Sequence, residues 1–273
     1  MKHLINITTK AFSLLTGSLA IALLLCASFF LTAAVHQIQA QETTAKKTVV
    51  LVHGAFADGS SWEKIIPFLQ AKGLNVVAVQ NPLSSLADDV AATKRAIDAA
   101  PGEVILVGHS WGGSVITQAG TGDKVSALVY VAAFAPSKDQ TSNELSIGYP
   151  KAEWLGSLKV DSGGFLWLSP DAVTNFFAQD LPAAQTKIMA VTQGPVFAKC
   201  FDEKITETAW SIKPSWYIVS EKDRMINPDL EKAMAKKIGA KVTVLPTSHV
   251  PMLSKPKEVA DVILAAAAGI AKK

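Results

Sequence analysis

Six short apolar runs punctuate the chain, and most are separated by stretches whose apolar residues recur at helical spacing. The first run, Thr48-Val49-Val50-Leu51-Val52, is continuous and mostly β-branched. A run of that kind suits a strand buried on both faces of a parallel sheet. Asn75–Val79, Glu103–Val107, Val125–Ala133, Pro214–Val219 and Ala240–Leu245 repeat it. Between them, Trp62, Ile65, Ile66 and Leu69 mark one helical face that stops before Gly73. Leu86, Val90, Ala91 and Ile97 mark another that stops at Pro101-Gly102. Asp229–Ile238, closed by Gly239, and Lys257–Ile270 predict two more helices. Strands alternating with helices of this length predict parallel βαβ units. The fold class is therefore α/β, with a mostly parallel central sheet flanked by helices.

The alternation breaks between about residues 137 and 211. This stretch holds no clean strand and is rich in aromatics: Trp154, Phe165, Trp167, Phe176, Phe177, Phe197, Phe201 and Trp210. It is too long for a plain loop, so we read it as a helical lid inserted between two strands of the sheet. At the other end, Lys2 and Lys10 precede an apolar run from Ala11 to Val35, and Ile38-Gln39-Ala40 resembles a cleavage site, with Thr32-Ala33-Ala34 as a second choice. That pattern predicts a signal peptide over residues 1–40, a polar linker over 41–47 and one domain over 48–273. The expected localisation is exported, either periplasmic or secreted. The run is also long enough to span a bilayer, so an uncleaved membrane anchor is the alternative.

Composition narrows the picture. Hydrophobic residues make up 49% of the 273 residues and charged residues 18%, which fits a filled core and not a disordered chain. Of the formal charge of +3, Lys2 and Lys10 supply two units, and residues 1–40 contain no acid; the rest of the chain carries +1. A nearly neutral body gives no electrostatic reason to expect nucleic acid or an anionic membrane as partner. Cys26 and Cys200 are the two cysteines. Removal of the leader leaves Cys200 alone, read here as a small buried apolar residue. His and Cys are too few and scattered for a metal cluster, and no phosphate-cradling glycine motif is present. We therefore expect no cofactor and no metal; the oligomeric state is left open.

The candidate chemistry gathers where strands end. Gly108-His109-Ser110-Trp111-Gly112 follows the run Glu103–Val107 and precedes a helix-like stretch, Gly113–Thr121. Strand, sharp turn and helix are the setting of a nucleophile elbow: the central Ser sits in a strained conformation, and its neighbours two residues away must be small. Serine needs a base to take its proton. His3 and His36 fall in the leader, and His53 and His109 fall inside glycine-containing loops. His249, just beyond the last strand, is left as the base. Asp223, in Ser220-Glu221-Lys222-Asp223-Arg224, is the candidate for the acid that orients that base, with Glu221 as runner-up. Asp229 reads as a helix N-terminal acid. Developing oxyanion charge needs preorganised N–H donors; the backbone amides of Ala55, after the first strand, and Trp111 are the candidates. Phe56, Trp111 and Trp167 are the candidate substrate-binding side chains.

These segments, Val49–Ala55, Gly108–Gly113, Lys222-Asp223-Arg224 and Ser248-His249-Val250-Pro251, resemble the α/β-hydrolase superfamily. The resemblance spans about residues 48–270. Within the superfamily the chain is similar to bacterial esterase-like proteins related to methyl-salicylate-type esterases, pyrethroid hydrolases and hydroxynitrile lyases. It implies a six-stranded parallel sheet, no cofactor, a lid over a mostly apolar pocket, and triad and oxyanion roles for Ser110, Asp223, His249, Ala55 and Trp111. Dehalogenases and epoxide hydrolases have Asp where this chain has Ser110. Hydroxynitrile lyases have Thr at the place of Gly54 and Lys at the place of Val250. Trp111 is bulkier than the Met or Leu often found there. The expected activity is hydrolysis of a small or medium apolar carboxylic ester through an acyl-enzyme. The alternatives are a hydroxynitrile-lyase-like or cofactor-free perhydrolase/haloperoxidase-like activity at the same site, or a ligand-binding protein without catalysis.

Overall fold

A computed structural model of the chain describes residues 46–269. The signal-peptide reading over 1–40 and the linker reading up to residue 45 lie outside the described residues. The strands run in chain order as β1 (Thr48–Val52), β2 (Asn75–Val79), β3 (Val104–His109), β4 (Val125–Val131), β5 (Leu158–Val160), β6 (Phe165–Leu168), β7 (Val196–Phe197), β8 (Ser215–Ser220) and β9 (Lys241–Leu245). The longer helices are α1 (Ile66–Gln70), α2 (Leu86–Ala99), α3 (Gly112–Ala119), α4 (Ala183–Thr192), α5 (Pro228–Lys237) and α6 (Pro256–Ala267).

Six strands form one sheet in the order β2-β1-β3-β4-β8-β9, with every neighbouring pair parallel. Each predicted apolar run is one of these strands. Their places differ, however. β1 and β3 are buried along their whole length, and each Val, Leu or Ile so buried contributes about 1.5–3 kcal/mol. β2 and β9 are the edges, where Val77, Val242 and Val244 stay exposed. An unbroken apolar run does not distinguish an edge from a centre. Parallel pairing puts the C-terminal ends of all six strands on one side. The chain winds from β1 outward to β2 and from β3 outward to β4, so the order reverses between β1 and β3, and the loops leaving these two strands diverge and leave a crevice. His53–Phe56 and Ser110 stand on those two loops.

The helices follow from local signals. Ser85 caps α2 by accepting from the Asp88 amide, and Asp88 and Asp89 lie in its first turn, where the helix dipole favours acids. The core face of α2 is Leu86, Asp89, Val90, Ala92, Thr93 and Ile97; Ala91, assigned to that face by spacing, is exposed. Pro67 opens α1, which is only five residues long and is preceded by a 3₁₀ turn at Gly59–Trp62.

The insert between β4 and β8 corrects an expectation. It is helical in part, through α4, the short helix Ser142–Leu145 and a wide π-type turn at Val173–Phe177. It also contains a three-stranded antiparallel sheet, β5-β6-β7. β5 and β6 are joined by a tight turn in which Asp161 Oδ1 accepts from the amides of Gly163 and Phe165, and Gly164 takes φ +80°. Strands of two to four residues are too short to carry a readable alternation.

Candidate active site

Ser110 stands directly after β3 with φ +52°, in the left-handed region that non-glycine residues avoid. That conformation costs on the order of 1–3 kcal/mol and is held by three backbone bonds. The Ser110 amide donates to Val131 O at 3.2 Å; its carbonyl accepts from Gly113 N at 3.0 Å and Phe134 N at 3.1 Å. The flanking glycines are required by contact. A Cβ on Gly108 would lie 2.5 Å from Gly112 O, one on Gly112 would lie 2.4 Å from Val52 O, and one on Gly54 would lie 2.7 Å from Ser110 Cβ. Helix α3 starts two residues after Ser110, so the positive end of its dipole lies at the serine.

His249 lies four residues beyond β9 and Asp223 three beyond β8. His249 Nδ1 donates to Asp223 Oδ2 at 2.5 Å. The other carboxylate oxygen accepts from the amides of Met225 at 2.6 Å and Ile226 at 2.9 Å. Both side chains are buried. The proton on Nδ1 leaves Nε2 of His249 as a free base. Glu221, the runner-up acid, is exposed, and Asp229 sits in the first turn of α5 paired with Lys232. Among the described residues the Ser110 hydroxyl makes no hydrogen bond, and none joins it to His249. Such contacts commonly close only when substrate is bound.

The amides of Ala55 and Trp111 are in buried residues and have no acceptor within the described chain. Two unpaired amides, one next to the serine and one on the loop whose Gly54 faces it, can hold a developing oxyanion. His53 fixes the first of these loops. Its Nε2 accepts from Asn81 N at 2.9 Å, so the ring proton is on Nδ1, which donates to Gly54 O at 2.8 Å. Burial lowers its pKa and keeps it neutral. His109 serves the second loop. Its Nε2–H donates to the carbonyl of His249 at 2.8 Å, tying the residue before the serine to the base's own backbone. Burial holds its pKa well below 6.5.

The substrate-binding candidates fare differently. Phe56 has φ +59°, is buried, and meets Trp154 edge-on at 6.0 Å. The Trp111 indole donates to Asp89 Oδ2 at 2.8 Å and packs on Phe201 at 5.3 Å. Trp167 stands in the short antiparallel sheet of the insert. It lies half-buried on β6, on the face opposite Leu166 and Leu168, which pack toward the core. Trp154, on the same insert, donates its indole N–H to Met225 O at 3.0 Å, two residues after Asp223.

The insert braces the acid and base loops. Phe177 packs on the rings of His249 at 5.3 Å and His109 at 6.3 Å. Asp180 accepts from the Ser248 amide, Gln179 donates to Lys222 O, and Arg224 donates to Asn175 O. Two surface grooves of about 390 and 360 Å³ approach the site, one beside Phe56 with Lys64, Gln185 and Met189, the other beside Asp223 with Glu153 and Phe176. Ser110 lines neither, and it is 8% exposed. Asp89, His109, Trp154 and Phe177 were not foreseen as site residues. Only Asp89 carried a signal, an acid on the apolar face of α2.

Comparison with known proteins agrees with this fold. Residues 49–262 match the Alpha/beta hydrolase family. The chain is 29% identical to "Probable hydrolase R7" of Phoma sp. over 80% of this chain and 97% of that one. It is 27% identical to Methylesterase 2 of Arabidopsis thaliana over 83% of this chain and 98% of that one. A crystal structure of a pyrethroid hydrolase superposes with a TM-score of 0.73 at 23% identity, covering 84% of this chain and 100% of that chain. With the sheet order, the elbow and a family match across most of its length, this chain belongs to the α/β-hydrolase family.

Proposed function

We propose that this chain is a serine esterase that cleaves a small or medium apolar carboxylic ester. Ser110 Oγ attacks the ester carbonyl while His249 Nε2 takes its proton. Asp223 keeps the imidazole in the required tautomer and stabilises the imidazolium. The carbonyl oxygen gains negative charge facing the amides of Ala55 and Trp111. His249 then gives its proton to the leaving alkoxide, and the alcohol departs. Water, deprotonated by the same nitrogen, attacks the acyl-enzyme and releases the carboxylic acid, returning the proton to Ser110. Phe56, Trp154 and Phe177 surround this centre with apolar surface, which favours an apolar ester.

The observation that carries the proposal is the buried His249–Asp223 bond beside a strained, unpaired Ser110. The methylesterase and pyrethroid hydrolase named above act on esters, which supports the same chemistry here. Export through the N-terminal leader belongs to the same proposal. Hydrolysis of p-nitrophenyl acetate tests the activity. Ser110→Ala is expected to lower kcat by at least about ten-thousand-fold. Turnover by Ser110→Ala equal to the wild type removes the nucleophile from this reading. Cyanohydrin cleavage or peracid formation faster than ester turnover would replace ester hydrolysis with another use of the site.

A further inference from the structure

Close to Asp223 lies a second buried carboxyl group. Glu231 sits in the first turn of α5, is fully buried, and its Oε2 accepts from the Ser220 amide at 3.0 Å. Its Oε1 is also buried and has no donor. The carboxyl of Asp223 lies within hydrogen-bonding reach of this side chain. Two carboxylates in contact offer each other only acceptors, and an unpaired buried charge costs several kcal/mol. One proton placed between them turns the orphaned oxygen into a donor and the repulsion into a hydrogen bond.

The surroundings decide which group carries it. Asp223 already has a donor on each oxygen, two amide N–H bonds to Oδ1 and the His249 Nδ1–H to Oδ2. Glu231 accepts one amide and has the start of a helix beneath it, which favour charge weakly. Against these stand complete burial and the neighbouring anion, which push its pKa well above the ordinary range. The other groups facing it do not reverse this. Tyr217 is a buried phenol whose hydroxyl donates to Ala133 O, and Lys232 is exposed and paired with Asp229.

We infer that Glu231 is a neutral acid that donates a hydrogen bond to Asp223, making it a positioning residue for the acid–base pair. This rests on the esterase reading for its effect on rate, but the proton itself does not. A neutral donor holds the carboxylate in place for His249 without adding a second negative charge beside it. It also shares the carboxylate's lone pairs between two donors, Glu231 and the His249 Nδ1–H.

Two measurements separate this inference from the function. In the Ser110→Ala background, which needs no turnover, infrared difference spectra of the protein with and without Glu231→Gln are expected to show loss of one protonated carboxylic acid band at neutral pH. Absence of that band overturns the inference even if the protein is an active esterase. In the wild-type background, Glu231→Leu is expected to lower kcat about tenfold or more and to move the acidic limb of kcat/KM upward. Glu231→Gln, whose amide can both accept from Ser220 and donate to Asp223, is expected to restore the wild-type limb. A limb moved to lower pH in Glu231→Gln would mean that a negative charge had been removed, and would also overturn it. Circular dichroism of each variant separates these results from misfolding.

Discussion

At the scale of single residues, three glycines decide whether Ser110 can be where it is. A methyl group on Gly112 would stand 2.4 Å from Val52 O and 2.9 Å from His53 O, both backbone atoms that cannot swing aside. Gly112→Ala is therefore expected to cost at least about 3 kcal/mol or to prevent folding. Gly122→Ala, where nothing lies within 4 Å, is expected to change stability by less than about 0.5 kcal/mol. Urea denaturation of the two variants checks the contrast, and equal effects would contradict the packing described for the elbow. Ser110, His249 and Asp223 were legible in the sequence because each type of residue has a chemical reason to follow a strand. The aromatic neighbours were not. Trp154 and Trp167 look alike as letters; which one nears Asp223 depends on the face each side chain takes, and a shift of one residue in a strand reverses that face.

At the scale of elements, helix α2 does more than cover the sheet. Asp89 on its buried face accepts from the Trp111 indole and from Leu83 N, both at 2.8 Å, while Leu83 itself is held at φ +58°. Leu83 O in turn accepts from Phe197 N at 2.8 Å, and the buried Cys200 thiol contacts it at 3.6 Å. The helix thus links the elbow to the insert, and Cys200 is the buried residue expected of it, its thiol pushed up to about 12 by burial. Burial raises Asp89 from 3.8 to about 6, against the pull of its two N–H donors. The folded chain therefore binds this proton more tightly than the unfolded chain. Its contribution to stability is full below about pH 4 and is lost as pH rises through about 6. Asp89→Asn removes the titration, so the variant is expected to fall further below the wild type at pH 4 than at pH 7. The difference should be on the order of 2–3 kcal/mol. Equal destabilisation at the two pH values, measured by urea unfolding, would contradict the assignment. The insert shows where element-level reading fails. Its length and aromatic content marked it as a separate cover, but β5, β6 and β7 are fixed by the Asp161 turn and by pairing with one another, not by any local period.

At the scale of the whole molecule, one feature of topology assembles the site. The winding order of the strands reverses between β1 and β3, and the loops that leave these two strands carry the Ala55 amide and Ser110. Asp223 and His249 arrive from β8 and β9 on the same side because every strand pair is parallel. The alternation of apolar runs and helical faces was enough to predict such a sheet, but not the strand order, which depends on pairing between distant segments. The leader belongs to this scale too. Export with cleavage after Ala40 predicts a mature chain beginning at Gln41, to be read by intact mass of protein recovered from the exported fraction. A full-length chain retained in membranes would favour the anchor.

The central claim, that Ser110 is the nucleophile of an acyl-transfer site, is tested most directly by trapping the covalent enzyme. The folded protein is treated with a fluorophosphonate probe, digested, and its peptides are analysed by mass spectrometry. One adduct is expected, on Ser110, absent from Ser110→Ala and formed far more slowly in His249→Ala. An adduct on another residue, or no adduct on folded wild-type protein, would contradict the claim.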